Sequence, residues 1–264
     1  MALPWFDNLD RTFCNAPVCT ELWEHVSFME DLARHVARVI VFDVNETLLD
    51  LGALDPHFRL AFGDAAVRRE WFAQVIELAL AATASNVYFQ FGVIADAALT
   101  MVASRRAVAL SSEHRAAILN GMRALPPHRD VRPALDRLRG AGLRLAALTN
   151  SATDAAEAQL AHAGLTDYFE QVLSVDRVRR LKPAPEVYRM AASRLGVPTG
   201  EIRLVAAHAW DVAGALRAGC AAAFVGRPGK VLDPLAPEPD VVGPDLEAVV
   251  EQIIQVETLR RSGN

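Results

Sequence analysis

Apolar positions along the chain fall into two rhythms. In the first, short runs that are apolar throughout alternate with stretches in which apolar residues recur every three or four positions. The runs are RVIVFDV from Arg38, LRLAALTN at 143–150 and IRLVAA at 202–207. Shorter ones stand at QVLSV (171–175), AAFVG (222–226) and DVVG (240–243). Between them lie VRPALDRLRGAG, ATDAAEAQLAHAG, APEVYRMAASRLG and AWDVAGALRAG, which read as helices. Several of these end at Gly, a common helix stop. Strands alternating with helices predict an α/β fold with a parallel sheet. Strands without polar alternation fit a sheet covered on both faces.

The second rhythm occupies residues 52–128, which are helical in pattern with no convincing strand. EWFAQVIELALAATA, VIADAALTMVASRRAV and SEHRAAILNGMRAL are its clearest helices, and PPHR at 126–129 closes it. The expected organisation is a Rossmann-like core over 37–51 and 129–258, with a helical cap domain inserted at 52–128. Residues 1–36 form an N-terminal extension. In it, Leu22, Val26, Met29, Leu32 and Val36 are spaced as on one face of a helix. RPGKVLDPLAPEPD (227–240) is a Pro-rich loop.

Composition narrows the function classes. The 264 residues are 52% hydrophobic and 22% charged, enough for a sizeable core. A net charge of −5 gives no basic footprint for nucleic acid. No apolar run approaches the roughly 18 residues of a membrane span. The N-terminus lacks a basic stretch followed by an apolar block, so a secretory signal is not expected. The three cysteines, Cys14, Cys19 and Cys220, form neither a disulfide framework nor a zinc set. A cytoplasmic protein with a small-molecule substrate is the expectation.

In an open parallel sheet, sites form at the carboxyl ends of the strands. The first strand runs into Asp43. The second ends at Thr149, Asn150 and Ser151, and the third leads to His208, Trp210 and Asp211. Lys182, followed by Pro, lies in the loop after QVLSV. Each residue alone has an ordinary explanation: turn, helix cap, solvated loop or packed histidine. Their convergence on one sheet edge points to a site.

FDVNETLLD, LTNS, LKPAPEVY and HAWDVAGALRAG, in that order, resemble the four motifs of the haloacid dehalogenase superfamily across residues 38–255. The L-2-haloacid dehalogenase branch is most similar, through the AWD block, the Lys-Pro with Tyr188 six residues after Lys182, and the helical insertion. The resemblance implies Asp43 as nucleophile and Thr47 as the residue holding its loop. It implies Thr149 and Asn150 as ligands of the substrate carboxylate or the ester. Lys182 would neutralise charge at Asp43, and Asp211 would pair with Lys182 and help place water. Tyr188 resembles the family's supporting tyrosine. Trp210, Phe91 and Ile76 would wall an apolar pocket, with Asn45 and Phe72 also facing substrate. A 2-halocarboxylate substrate, no cofactor, no metal and scope for a homodimer are implied.

Asn45 bears on the reaction. Phosphatases of this superfamily carry a second aspartate there, which protonates the leaving alkoxide. Asparagine cannot do this, and a halide needs no proton to leave. Ala207 stands where those phosphatases place an acidic residue for magnesium. A magnesium phosphatase and a catalytically silent binding protein stay open as alternatives. The dehalogenase branch usually has Tyr at Asn45, Asn at His208 and Ser at Ala206. An ungapped match on Trp71 and NVYFQF places Phe72 at the position of its halide-binding arginine, with Arg68 and Arg69 a turn earlier. His208 is a candidate general base for ester hydrolysis or a donor to the departing halide, since an unperturbed imidazole titrates near pH 6.5.

Overall fold

A computed structural model describes residues 39–262; the N-terminal helical expectation lies outside them. Six apolar runs become six parallel strands. They are β1 (Val39–Phe42), β2 (Arg144–Thr149), β3 (Gln171–Ser174), β4 (Ile202–Ala206), β5 (Ala221–Val225) and β6 (Val241–Gly243). Their order is β3-β2-β1-β4-β5-β6. The first strand stops at Phe42, one residue short of the aspartate, and QVLSV stops at Ser174 because Val175 begins a 3-10 turn.

The order has a functional consequence. The chain steps from β1 to β2 and β3 on one side, then crosses back to β4 and continues to β5 and β6. β1 is therefore central, and the crevice opens where connections diverge, at the carboxyl ends of β1 and β4. All four residues of β1 are completely buried, which explains its unbroken VIVF. Phe42 is in register with Ala147 and Val205, and the Asp43 N–H donates to Val205 O at 3.0 Å. Asp43 thus leaves the strand with its backbone still held by the sheet.

Four α-helices fill residues 55–121, after β1. They are α1 (Asp55–Phe62), α2 (Val67–Ala84), α3 (Phe91–Arg105) and α4 (Ser112–Gly121). Trp71 explains their packing. It is fully buried, donates from Nε1 to Ala95 O at 2.9 Å, and lies 5.2 Å from the Phe58 ring. One side chain thereby joins α2 to α3 and α1. Successive helical residues turn by about 100°, so Phe72 leaves α2 in another direction, toward His208.

The rest of the sheet is covered by α5 (Val131–Gly140), α6 (Thr153–His162), α7 (Pro185–Leu195), α8 (Ala209–Arg217) and α9 (Leu246–Ser262). The last helix runs beyond the expected boundary at 258. α5 packs on α9, and α7 on α8. The sequence gives one residue of β4 an odd character: Arg203 is fully buried in an otherwise apolar strand. Its guanidinium meets Asp240 at 2.5 and 2.9 Å, just before β6, and Glu257 of α9 at 3.2 Å. The helical stretch also touches the loop before Lys182. Tyr88 donates to Asp176, Arg179 lies 5.0 Å over the Tyr88 ring, and Arg180 donates to Asn86.

Candidate active site

The turn after β1 is tight. Leu48 and Leu49 donate their N–H groups to Val44 O at 2.9 and 3.0 Å, and Glu46 N donates to Leu49 O at 2.9 Å. Closing it puts Glu46 in the left-handed region, at φ 62°. For a non-glycine residue this costs of order 1–2 kcal/mol. Thr47 is fully buried and ties the turn to the neighbouring strand end. Its hydroxyl donates to Asp43 Oδ2 at 2.7 Å and accepts from Ala207 N at 2.9 Å. Arg227 supports the turn from beneath, donating to Thr47 O at 2.9 and 3.2 Å while pairing with Asp130 at 2.6 Å.

Lys182 is the electrostatic centre. It is 1% exposed, and its ammonium reaches Asp43 Oδ1 at 2.7 Å, Asp211 Oδ2 at 2.6 Å and Leu148 O at 3.0 Å. Three acceptors satisfy its three protons. The Lys182–Pro183 peptide is cis, and the Lys182 N–H donates to Asn150 Oδ1 at 2.9 Å. Asn150 therefore aims the lysine with its carbonyl, leaving the amide NH2 to donate elsewhere. Thr149 uses its hydroxyl locally, accepting from Ser151 N at 3.1 Å.

Helix α8 brings Asp211. Tyr188 of α7 donates to Asp211 Oδ1 at 2.6 Å and is itself 1% exposed, so it holds Asp211 from the interior side. Such close approach needs Gly214 on α8. A Cβ there would strike Pro183 and come within 2.7 Å of the Tyr188 hydroxyl.

The buried charges sort themselves. Burial alone would raise the pKa of Asp43, but Lys182 and His208 outweigh it and hold the carboxyl well below the usual range. Asp211 goes the other way: burial raises it, Lys182 offsets that only in part, and the Asp43 charge pushes it further up. Lys182 is raised, because its two carboxylates outweigh its burial. Tyr188 is raised well above its usual value by burial and by Asp211. Of the two aspartates sharing one lysine, Asp43 is thus the more firmly ionised.

His208 faces Asp43 from the other side. Its Nδ1 lies 3.2 Å from Asp43 Oδ2 and its Nε2 lies 2.9 Å from Glu46 Oε2. Trp210 stacks on it at 5.1 Å and Phe72 at 6.0 Å. Burial would lower the imidazole pKa, but bonds to the two carboxylates outweigh it and raise it. Glu46 also binds Lys230, whose ammonium lies 5.9 Å over the Phe72 ring. Burial would raise Glu46, yet His208 and Lys230 bring it below its ordinary value.

The structure brings Asp43, Thr47, Lys182, His208 and Asp211 together, with Asn150 and Tyr188 in direct support. Phe72 and Trp210 both stack on His208. Asn45 is 5% exposed and spends its amide internally, donating to Ser151 Oγ at 3.2 Å and accepting from Gln159 at 3.0 Å. Ile76 lies one turn beyond Phe72 and is half-buried. Phe91 is buried at the start of α3, and among the described residues no ring contact joins it to the Asp43 group. The arginines before Phe72 do not stand in for a missing cation. Arg68 is bound to Asp55 at 2.5 Å on the helical stretch itself, and Arg69 is exposed. The positive groups beside Phe72 are His208 and Lys230, from the sheet side.

Sequence reasoning missed Glu46, Lys230, Gln159 and Arg227. Glu46 lay inside the quoted FDVNETLLD, but its partners stand 162 and 184 residues away. Lys230 and Arg227 come from the Pro-rich loop, which carried no signal of its own.

The profile of haloacid dehalogenase-like hydrolases matches residues 37–219. A (S)-2-haloacid dehalogenase of Pseudomonas sp. strain YL is 30% identical over 214 residues, covering 80% of this chain and 92% of that protein. (S)-2-Haloacid dehalogenase 2 of Pseudomonas sp. strain CBS-3 is 28% identical over 207 residues, covering 78% and 90%. Among solved structures, L-2-haloacid dehalogenase from Xanthobacter autotrophicus, with chloropropionic acid covalently bound, superposes with a TM-score of 0.76. It is 26% identical, with 82% of this chain and 98% of that one covered.

Proposed function

The chain belongs to the haloacid dehalogenase-like hydrolase family, and within it we infer that the protein is a hydrolytic dehalogenase of small 2-halocarboxylates. One observation carries the reading. Asp43, the more firmly ionised of the two aspartates that share Lys182, lies two residues before an asparagine whose amide bonds to Ser151 and Gln159. The site has a nucleophile but no acid at Asn45 to protonate an alkoxide leaving group, and a halide leaves without one.

In the first step, an Asp43 oxygen attacks the carbon bearing the halogen, the carbon–halogen bond breaks, and an aspartyl ester forms with inversion. Lys182 keeps the carboxylate charged in a buried setting, where Asp43 is 4% exposed. Asn150, with its NH2 free of Lys182, binds the substrate carboxylate and orients the ester. In the second step, water attacks Cγ of Asp43 with His208 as general base. Residues 52–128 act as a cap whose opening admits substrate and whose closure excludes solvent. The names of the similar enzymes, which act on 2-haloacids, support this substrate class.

The test is halide release from a panel of 2-halocarboxylates, including both chloropropionate enantiomers and fluoroacetate, without added metal. Asp43→Asn should abolish the release. No halide from any acid, with magnesium-dependent hydrolysis of an aryl phosphate instead, would replace this reading with the phosphatase. Neither activity, with thermal stabilisation by a halocarboxylate, would favour the silent binder.

A further inference from the structure

The mechanism above gives no part to Glu46, a half-buried carboxylate at the edge of the site. Glu46 is held in a strained left-handed turn, bridges His208 and Lys230, and touches no other part of the reaction. Strained backbone that the surroundings over-determine tends to gather where geometry matters. Here the strain places a carboxylate opposite the one on which the ester forms, with the imidazole between them.

We propose that Glu46 is a positioning residue for the dehalogenase reaction: it fixes the proton on His208 Nε2 in every state, so that only Nδ1, facing Asp43, gains and loses a proton during turnover. The geometry allows little else. An ionised carboxylate only accepts hydrogen bonds, so the nitrogen 2.9 Å from Glu46 Oε2 must be the donor. While Asp43 is anionic, Nδ1 at 3.2 Å must donate as well, and the imidazole is a cation between two carboxylates. Esterification removes the Asp43 charge. The charged groups still facing His208 are then Glu46 and Lys230, which oppose one another. Trp210 and Phe72, both stacked on the ring, carry no charge. Nδ1 loses its reason to stay protonated and becomes a lone pair aimed at the ester.

The protons balance. The first step consumes the Asp43 carboxylate and the carbon–halogen bond, releasing halide; the Nδ1 proton then passes to solvent. In the second step a water oxygen bonds to Cγ and its proton goes to Nδ1. The bond from Cγ to the substrate oxygen breaks, and that oxygen takes the proton as the 2-hydroxy acid departs. The aspartic acid left behind gives its proton to Nδ1, restoring the resting ion pair. The sum is haloacid plus water to hydroxy acid, halide and one proton. The arrangement parallels a carboxylate orienting a catalytic histidine elsewhere, with the carboxylate supplied by the nucleophile's own turn.

This inference rests on the dehalogenase reading, so the experiment has one arm that needs no substrate. Nitrogen-15 NMR of the full-length protein, with the His208 signals assigned by their loss in His208→Asn, reads the protonation of each ring nitrogen. Near neutral pH the wild type should show both nitrogens protonated. Asp43→Asn, which removes the same charge as the ester, should show Nε2 protonated and Nδ1 bare. A doubly protonated ring or a proton on Nδ1 alone in that variant overturns the proposal, whatever the activity.

The second arm is rapid quench and mass spectrometry with a substrate the wild type turns over. Glu46→Gln should give a burst of one halide per site, a covalent adduct on Asp43, and a kcat lowered about 10²–10⁴-fold. Glu46→Asp, keeping the charge, should accumulate less adduct. A Glu46→Gln protein in which burst and turnover fall together, with no adduct, has lost structure only, and the proposal fails. Absence of halide release from wild type with every acid would sink the dehalogenase reading and the catalytic role of Glu46 with it, while the NMR arm still decides the tautomer.

Discussion

Two buried cations hold this sheet, one at each end of its strands, and each sits between two carboxylates. Arg203 binds Asp240 and Glu257 toward the start of β4. Lys182 binds Asp43 and Asp211 beyond the carboxyl ends. In both clusters the cation itself is fully buried and paired with two carboxylates. They differ in what the carboxylates face. Arg203 uses a planar fork, bidentate on Asp240, whose side chain is 37% exposed at the surface. Asp43 turns its second oxygen toward Thr47 and His208, in the crevice where the connections diverge. A buried ion triad therefore marks a site only in company: it must stand at the switch point, and one partner must face further chemistry.

The comparison breaks most visibly through Lys182→Met. With Asp43 and Asp211 left without their shared cation, halide release should fall at least about 10²–10³-fold, read as initial rates. The same variant should lose about 3–5 kcal/mol of stability, because removing one partner leaves buried charge uncompensated. Arg203→Met should lose a similar about 3–5 kcal/mol in urea unfolding, yet the folded fraction should keep its kcat. A folded Arg203→Met protein with a kcat collapse would show the clusters to be one system.

A finer probe is Tyr188→Phe. Removing the hydroxyl donor on Asp211 should cost about 1–3 kcal/mol, measurable by urea titration. The pH dependence of stability sharpens the contrast further. The folded pKa of His208 is raised, so its contribution is fully present below the unfolded value near 6.5 and is lost as pH rises through the folded value. The pKa values of Asp43 and Glu46 are depressed, so theirs is present above about 4 and is lost as pH falls through the folded values. His208→Asn should flatten the alkaline limb of an unfolding curve and Arg203→Met should leave its shape alone. Smallest of all, Arg68→Ala should leave halide release within about twofold, a stability effect of under about 1 kcal/mol accompanying loss of its partly exposed pair.

The uniformly apolar strands made the sheet legible, and with it the strand ends where Asp43, Thr149, Asn150, His208 and Asp211 stand. Lys182, ordinary by itself, was legible through the likeness of LKPAPEVY to the family motif and its place in the loop after QVLSV. Arg203 shows where such reading stops: a charged residue in an apolar run is explained only by Glu257 and Asp240, brought to it by α9 and the approach to β6. Glu46 shows the same in the site. Local pattern makes it a solvated turn residue, and only the packing of a distant loop turns it inward. Phe72 was placed by similarity alone, and the meaning of its ring came from the His208 and Lys230 groups around it.

Gly214 shows how the chemistry is exposed to chance. It touches no reacting atom, yet its missing methyl lets Pro183 and Tyr188 lie against α8. Any amino-acid replacement there adds a side chain, which would push Pro183 and Tyr188, the neighbours that seat Lys182 and Asp211, away from α8. A lineage could thus retain every charged residue of the cluster, read as intact in its motifs, and have lost the reaction through a carbon atom on the far side of a tyrosine.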